Sequence, residues 1–189
     1  MSHIDSLIKR PKRTLGLLVL VLIAVGVAIG SGADFSAQSA NPSNTFAAGT
    51  LTMSNSANNA AILTASNMKP GDTATGTVDI ANTGSLQGAF SVSWTALTDT
   101  PSSPALSGKL DLVVHDCGLW SGGNPPSCSS GGSDVYSSTL SAMSSAVALG
   151  NYAAGDKHRF KFTVTLNSSA DNSYQGGQSN ATFTWNAVQ

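Results

Sequence analysis

His158-Arg159-Phe160-Lys161-Phe162-Thr163-Val164-Thr165-Leu166 decides the fold class. Phe160, Phe162, Val164 and Leu166 alternate with Arg159, Lys161, Thr163 and Thr165. In an extended chain successive side chains point to opposite sides, so this pattern is a strand with one buried and one wet face. Working outward, the same alternation returns in Ser179 to Ala187, where Ala181, Phe183 and Trp185 form the apolar row. It also returns in Phe90 to Trp94, in the run Leu110, Leu112, Val114, and in Thr75 to Ala81 through Val78 and Ile80. Phe46 to Met53 supplies Leu51 and Met53 and is read as a further strand.

Turn formers separate these runs. Lys69-Pro70-Gly71-Asp72 suits a tight turn, because Pro presets one dihedral and Gly accepts a positive one. Asn82-Thr83-Gly84-Ser85 and Ala154-Gly155-Asp156 are of the same kind. Ser137 to Leu149 is ambiguous: Leu140, Met143 and Val147 could line a short helix, or the segment could be an irregular crossover. Several short strands between Gly and Pro turns, with almost no helical periodicity, indicate an antiparallel β-sandwich.

The exception is the N-terminus. Lys9, Arg10, Lys12 and Arg13 precede a run from Thr14 to Gly30 that carries no charge, and Ser31-Gly32-Ala33 closes it with small residues. Basic segment, apolar segment and small-residue exit are the order of a secretory signal peptide. Residues 1–33 are therefore expected to be removed between Ala33 and Asp34, and the protein to be secreted. The alternative is a retained membrane helix, since the apolar length is close to the lower limit of about 17 residues for a span. Either way the domain lies outside, and contact with membrane is expected only through this segment.

Behind the signal stand nine Asp, five Lys and Arg, and no Glu. So mildly acidic a surface has no electrostatic footprint for nucleic acid. Cys117 and Cys128 enclose CGLWSGGNPPSC. In an exported chain an even cysteine count favours a disulfide, and closing this loop would stabilise by about 3 kcal/mol. A metal site would need two more soft ligands, with His115 the only nearby candidate.

Catalytic chemistry is hard to find. A zincin site needs two His four residues apart with a Glu between them. The chain behind the signal has only His115 and His158, far apart and in expected strands. His115 reads as a polar strand end beside the disulfide, and His158 as a solvated strand start. Asp72, Asp156 and Asp171 read as turn residues, because no spacing matches a calcium loop. No catalytic, cofactor or metal residues are assigned. Trp94 and Trp185 follow the alternation and are expected in the core, whereas Trp120 lies in the Cys loop, packed on the disulfide or open to a ligand.

Three motifs in order, Phe46-Ala47-Ala48-Gly49-Thr50-Leu51, Asn67-Met68-Lys69-Pro70-Gly71-Asp72 and Asn82-Thr83-Gly84-Ser85-Leu86, resemble the TasA/camelysin family. Tyr174-Gln175-Gly176 before the last strand fits the family's C-terminal end, and Thr98 to Leu149 diverges. The resemblance implies a jelly-roll sandwich, here residues 46–189, preceded by a signal helix. It also implies a structural subunit of an extracellular fibre or biofilm matrix. The partners would be other copies of the chain in a filament, with further matrix proteins or polysaccharide. In that family the N-terminal segment completes the sheet of the next subunit. Residues 34–45, DFSAQSANPSNT, are the candidate donor strand here, with Phe35 and Ala37 as anchors on one face. One branch of the family is described as a metallopeptidase, an activity that no metal-ligand motif in this sequence supports. The alternative function is a monomeric cell-surface binding module that uses the Cys117–Cys128 loop.

Overall fold

The computed structural model describes residues 11–30, 45, 47–120, 123–129 and 131–189. The chain divides into two units, Met1–Phe46 and Ala47–Gln189. The described part of the first includes the helix α1 (Pro11–Gly30), whose described apolar side chains from Leu15 to Ile23 are exposed.

The second unit is all β. Its strands are β1 (Met53–Asn55), β2 (Thr73–Asn82), β3 (Gly88–Thr100), β4 (Leu110–Trp120), β5 (Ser133–Thr139), β6 (Val147–Tyr152), β7 (Lys157–Leu166) and β8 (Gln178–Val188). They form a five-stranded sheet in the order β1-β2-β7-β4-β5 and a three-stranded sheet in the order β6-β3-β8, with antiparallel pairing throughout. The expected sandwich is borne out.

The run that decided the fold class is β7, at the centre of the larger sheet. Phe160 and Phe162 are fully buried, and Val164 and Leu166 nearly so. They face Val78 and Ile80 of β2 and Leu112 and Val114 of β4 in one core, which the other sheet closes with Phe90, Val92 and Trp185. Phe162 meets Phe183 edge-on, with centroids 4.9 Å apart. Trp94 is half-buried at the core's edge and donates its Nε1–H to the Leu140 carbonyl.

Turn chemistry sets the register. At Lys69–Asp72, Asp72 N–H donates to the Lys69 carbonyl while its own carboxylate accepts from Lys69 N–H. Gly71 has φ +93°, a conformation that costs any residue with a Cβ about 1–2 kcal/mol. Asp156 and Asp171 likewise accept backbone N–H bonds of their own turns, from Ala153 and Ser173. Gly76 of β2 is glycine for another reason: a Cβ there would strike the Ile62 carbonyl, since the β1–β2 connection crosses its inner face.

Several expectations need correction. The first strand is only Met53–Asn55, because Thr50 and Thr52 give their carbonyls to the turn N–H groups of Thr83, Ser85 and Leu86 instead of to a ladder. Ser137 to Leu149 is neither helix nor irregular throughout. It ends β5, makes a 3-10 turn at Leu140–Ala142 that buries Leu140, and begins β6 in the other sheet. Trp120 is the last residue of β4, in register with Lys157, whose Nζ lies 5.2 Å from the centre of its ring. His158 is not solvated: its ring stacks on Tyr152, with centroids 4.2 Å apart, and it faces the core.

Candidate functional site

The strand pairing itself marks one place as incomplete. In an eight-strand jelly roll a long antiparallel hairpin is rolled up, so strand 1 pairs with 8, 2 with 7, 3 with 6 and 4 with 5. Here β2 pairs with β7, β3 with β6 and β4 with β5. Among the described residues the fourth pairing is missing, because β1 pairs with β2. Among the described residues β8 therefore has a partner, β3, on one side only.

Side chains along β8 match that vacancy. Its inward row is Ala181, Phe183, Trp185 and Ala187, and of these only Trp185 is buried. The corresponding row of β7, between two neighbours, is buried from Phe160 to Leu166. An eleven-residue strand with unpaired N–H and C=O groups beside a half-covered apolar row is a template for another strand. The positions expected to act there, Phe35 and Ala37, and the expected cleavage pair Ala33 and Asp34, lie outside the described residues.

Cys117 and Cys128 are joined in a disulfide with Cα atoms 4.8 Å apart. The bridge ties the end of β4 to the connection leading into β5. Two histidine–carboxylate pairs flank it. On the inner face, His158 Nδ1 lies 2.9 Å from Asp116 Oδ2, and Asp116 Oδ1 also accepts the Gly118 N–H. On the outer face, His115 Nδ1 lies 2.6 Å from Asp134 Oδ1 and Nε2 lies 2.9 Å from the Gly131 carbonyl. A carboxylate and a carbonyl can only accept, so both contacts are satisfied together when both ring nitrogens carry hydrogen, in the imidazolium form. The bond to Asp134 first, then that to Gly131, raises its pKa above the ordinary 6.5, against the opposing effect of burial.

This geometry limits the chemistry. His115 cannot serve as a general base while Nε2 is bound to a carbonyl, and the Ser129 hydroxyl nearby bonds Ser127 instead. His115 and His158 project from opposite faces of one sheet, so they cannot share an ion. Among the described residues no three His, Cys, Asp or Glu side chains are grouped to hold a metal.

Residues 11–98 match the family described as camelysin metallo-endopeptidase. The match bears out the resemblance to the TasA/camelysin family and spans all three motifs that carry it, whereas Tyr174-Gln175-Gly176 lies beyond it. No curated protein matches the chain. The camelysin-like part ends within β3, so β4 to β8, with the disulfide, both histidine pairs and the open edge, lie outside the matched range. The histidine pairs escaped sequence reasoning because their partners are 19 and 42 residues away. The open edge escaped it because the alternation in β8 is the same as in a fully paired strand.

Proposed function

We propose that this protein is a secreted structural subunit of an extracellular matrix fibre, assembled when residues 34–45 of one copy pair with β8 of the next. The observation that carries the reading is the single-sided pairing of β8, at the position where a jelly roll seats its first strand. The camelysin-like match over residues 11–98 supports it, as does the basic, apolar and small-residue order before Asp34. In this reading signal cleavage after Ala33 frees the donor segment. Phe35 and Ala37 then cover the half-open row of Ala181, Phe183 and Ala187, while backbone hydrogen bonds supply much of the affinity. The role is structural, without peptidase chemistry.

The test uses the mature protein from Asp34 in negative-stain microscopy and sedimentation. It is expected to form filaments, whereas a variant lacking residues 34–45 should remain a folded monomer. Phe35→Asp should act similarly, because a charge would enter an apolar groove unpaired. A third variant carries a second copy of residues 34–45 after Gln189, joined by a short turn. Strands 1 and 8 are antiparallel neighbours, so this copy should fill its own groove, raise the melting temperature and stop elongation. Normal filaments from the deletion variant would overturn strand donation. Absence of filaments from the mature protein under all conditions would overturn the fibre role.

A further inference from the structure

We propose that the pocket on the outer face of the five-stranded sheet binds a single carboxylate of a sugar acid, presented as a uronate residue of an acidic polysaccharide. The choice of a polysaccharide rests on the matrix reading above; the carboxylate site does not.

The pocket has a volume of about 490 Å³ and opens to solvent. Its floor is Val113 and His115 of β4 with Lys161 and Thr163 of β7. Its wall is Cys128, Ser129, Gly131, Gly132 and Asp134, with Cys128 tied to β4 by the disulfide. Charge decides the ligand. The His115 imidazolium and the Asp134 carboxylate neutralise each other at 2.6 Å. Lys161 stands directly across from His115 on the neighbouring strand. Among the described residues it has no carboxylate within ion-pair distance, whereas Arg159 on the same face is matched by Asp79 at 2.6 Å. With His115 protonated, the pocket therefore carries one uncompensated positive charge on a domain that is acidic as a whole. One carboxylate balances it.

The lining selects a hydroxylated ligand. Apart from Val113 and the disulfide sulfur of Cys128 it consists of hydroxyl, backbone and charged groups, with no Phe, Tyr or Trp side chain. The surface beside it continues the theme. Lys161 pairs across β2 with Thr77, Thr163 with Thr75, and Thr165 with Thr73, the last pair with hydroxyls 2.9 Å apart. Two strands about 4.8 Å apart thus present a ladder of hydroxyls leading away from the cation. Such a flat polar surface suits the following residues of a sugar chain, and it is what favours a polymer over a free sugar acid.

The experiment titrates the domain from Ala47 to Gln189, which lacks the donor segment and cannot elongate under the proposed scheme, with glucuronate, a short oligogalacturonate, glucose and dextran. NMR follows the side-chain signals of Lys161 and His115. Both acids are expected to shift these signals, the oligomer binding more tightly, and neither neutral sugar should do so. Lys161→Gln should weaken binding about tenfold or more, as loss of a charge-assisted bond does. Below pH 6.5, where His115 stays protonated, Asp134→Asn should strengthen it, because the imidazolium then lacks its counter-charge. Equal binding of dextran, no response to either acid, or unchanged affinity in Lys161→Gln would overturn the site. Glucuronate binding as tightly as the oligomer would overturn the polysaccharide source alone. Binding by a protein that never forms filaments would leave the site standing and the fibre reading refuted.

Discussion

Asp116 and His158 lie 42 residues apart and meet where β4 bulges: the carboxylate oxygens are 2.9 and 3.1 Å from Nδ1 of the ring. The pair is largely covered, with side-chain exposures of 17% for His158 and 14% for Asp116. It joins the bulged end of β4 to the stack of Phe90, Tyr152, His158 and Phe160 that spans the two sheets. The disulfide begins one residue after Asp116, and the carboxylate accepts the Gly118 N–H on the far side of Cys117.

Asp116→Asn should therefore destabilise the domain by about 1–3 kcal/mol, the usual loss when a buried hydrogen-bonded charge loses its partner. Asp116→Ala should cost more, because the Gly118 N–H is orphaned too. Urea unfolding of the variants checks both, and an unchanged midpoint for Asp116→Ala would show that the pair contributes nothing.

Tyr152 stacks between Phe90 and His158 at centroid distances of 4.3 and 4.2 Å, yet its buried hydroxyl has no hydrogen-bond partner among the described residues. Burial, then the nearby Asp116 and Asp156 charges, pushes the phenol's pKa far upward. Tyr152→Phe keeps the stack and removes the orphaned group, so stability should be unchanged or rise by up to about 1 kcal/mol. Calorimetry reads the result, and a marked loss of stability would mean that the hydroxyl is satisfied in solution.

Reducing Cys117–Cys128 should lower stability by about 3 kcal/mol, since the freed connection regains the freedom that the bridge removes from the unfolded chain. The His115 signals should shift as well, because Gly131 and Asp134 sit on that connection. Thermal melts with and without reductant, alongside peptide mapping of alkylated protein, test it; both thiols found free in native material would refute the bridge.

His115 gives a pH dependence of defined sign. Its folded pKa lies above the ordinary 6.5, so its contribution to stability is complete below pH 6.5 and is lost as pH rises through the folded value. Asp134→Asn removes the largest cause and should bring the pKa down. An NMR titration of the His115 ring in both proteins measures the change. A folded pKa at or below 6.5 in the unaltered protein would contradict the doubly donating ring.

The alternation of residues 158–166, 179–187 and 90–94, with the turns Lys69–Asp72 and Ala154–Asp156, was enough to specify an antiparallel sandwich and part of its core, Phe90, Val92, Phe160, Phe162, Val164, Leu166 and Trp185. Side-chain direction along a strand and turn geometry are local properties, written at spacings of two to four residues. The cysteine count likewise foretold the bridge, and three short motifs foretold the camelysin-like match over residues 11–98. Only the tertiary structure decided which strands are neighbours. Whether β8 has one partner or two depends on where Met53–Asn55 goes, and that choice is settled by the bonds of Thr50 and Thr52 to a turn more than thirty residues away. The same holds for His115 with Asp134 and His158 with Asp116. Each histidine looked like a polar residue at a strand end, and only the register between β4, β5 and β7, together with the bulges in β4, placed one pair in the interior and the other beside Lys161.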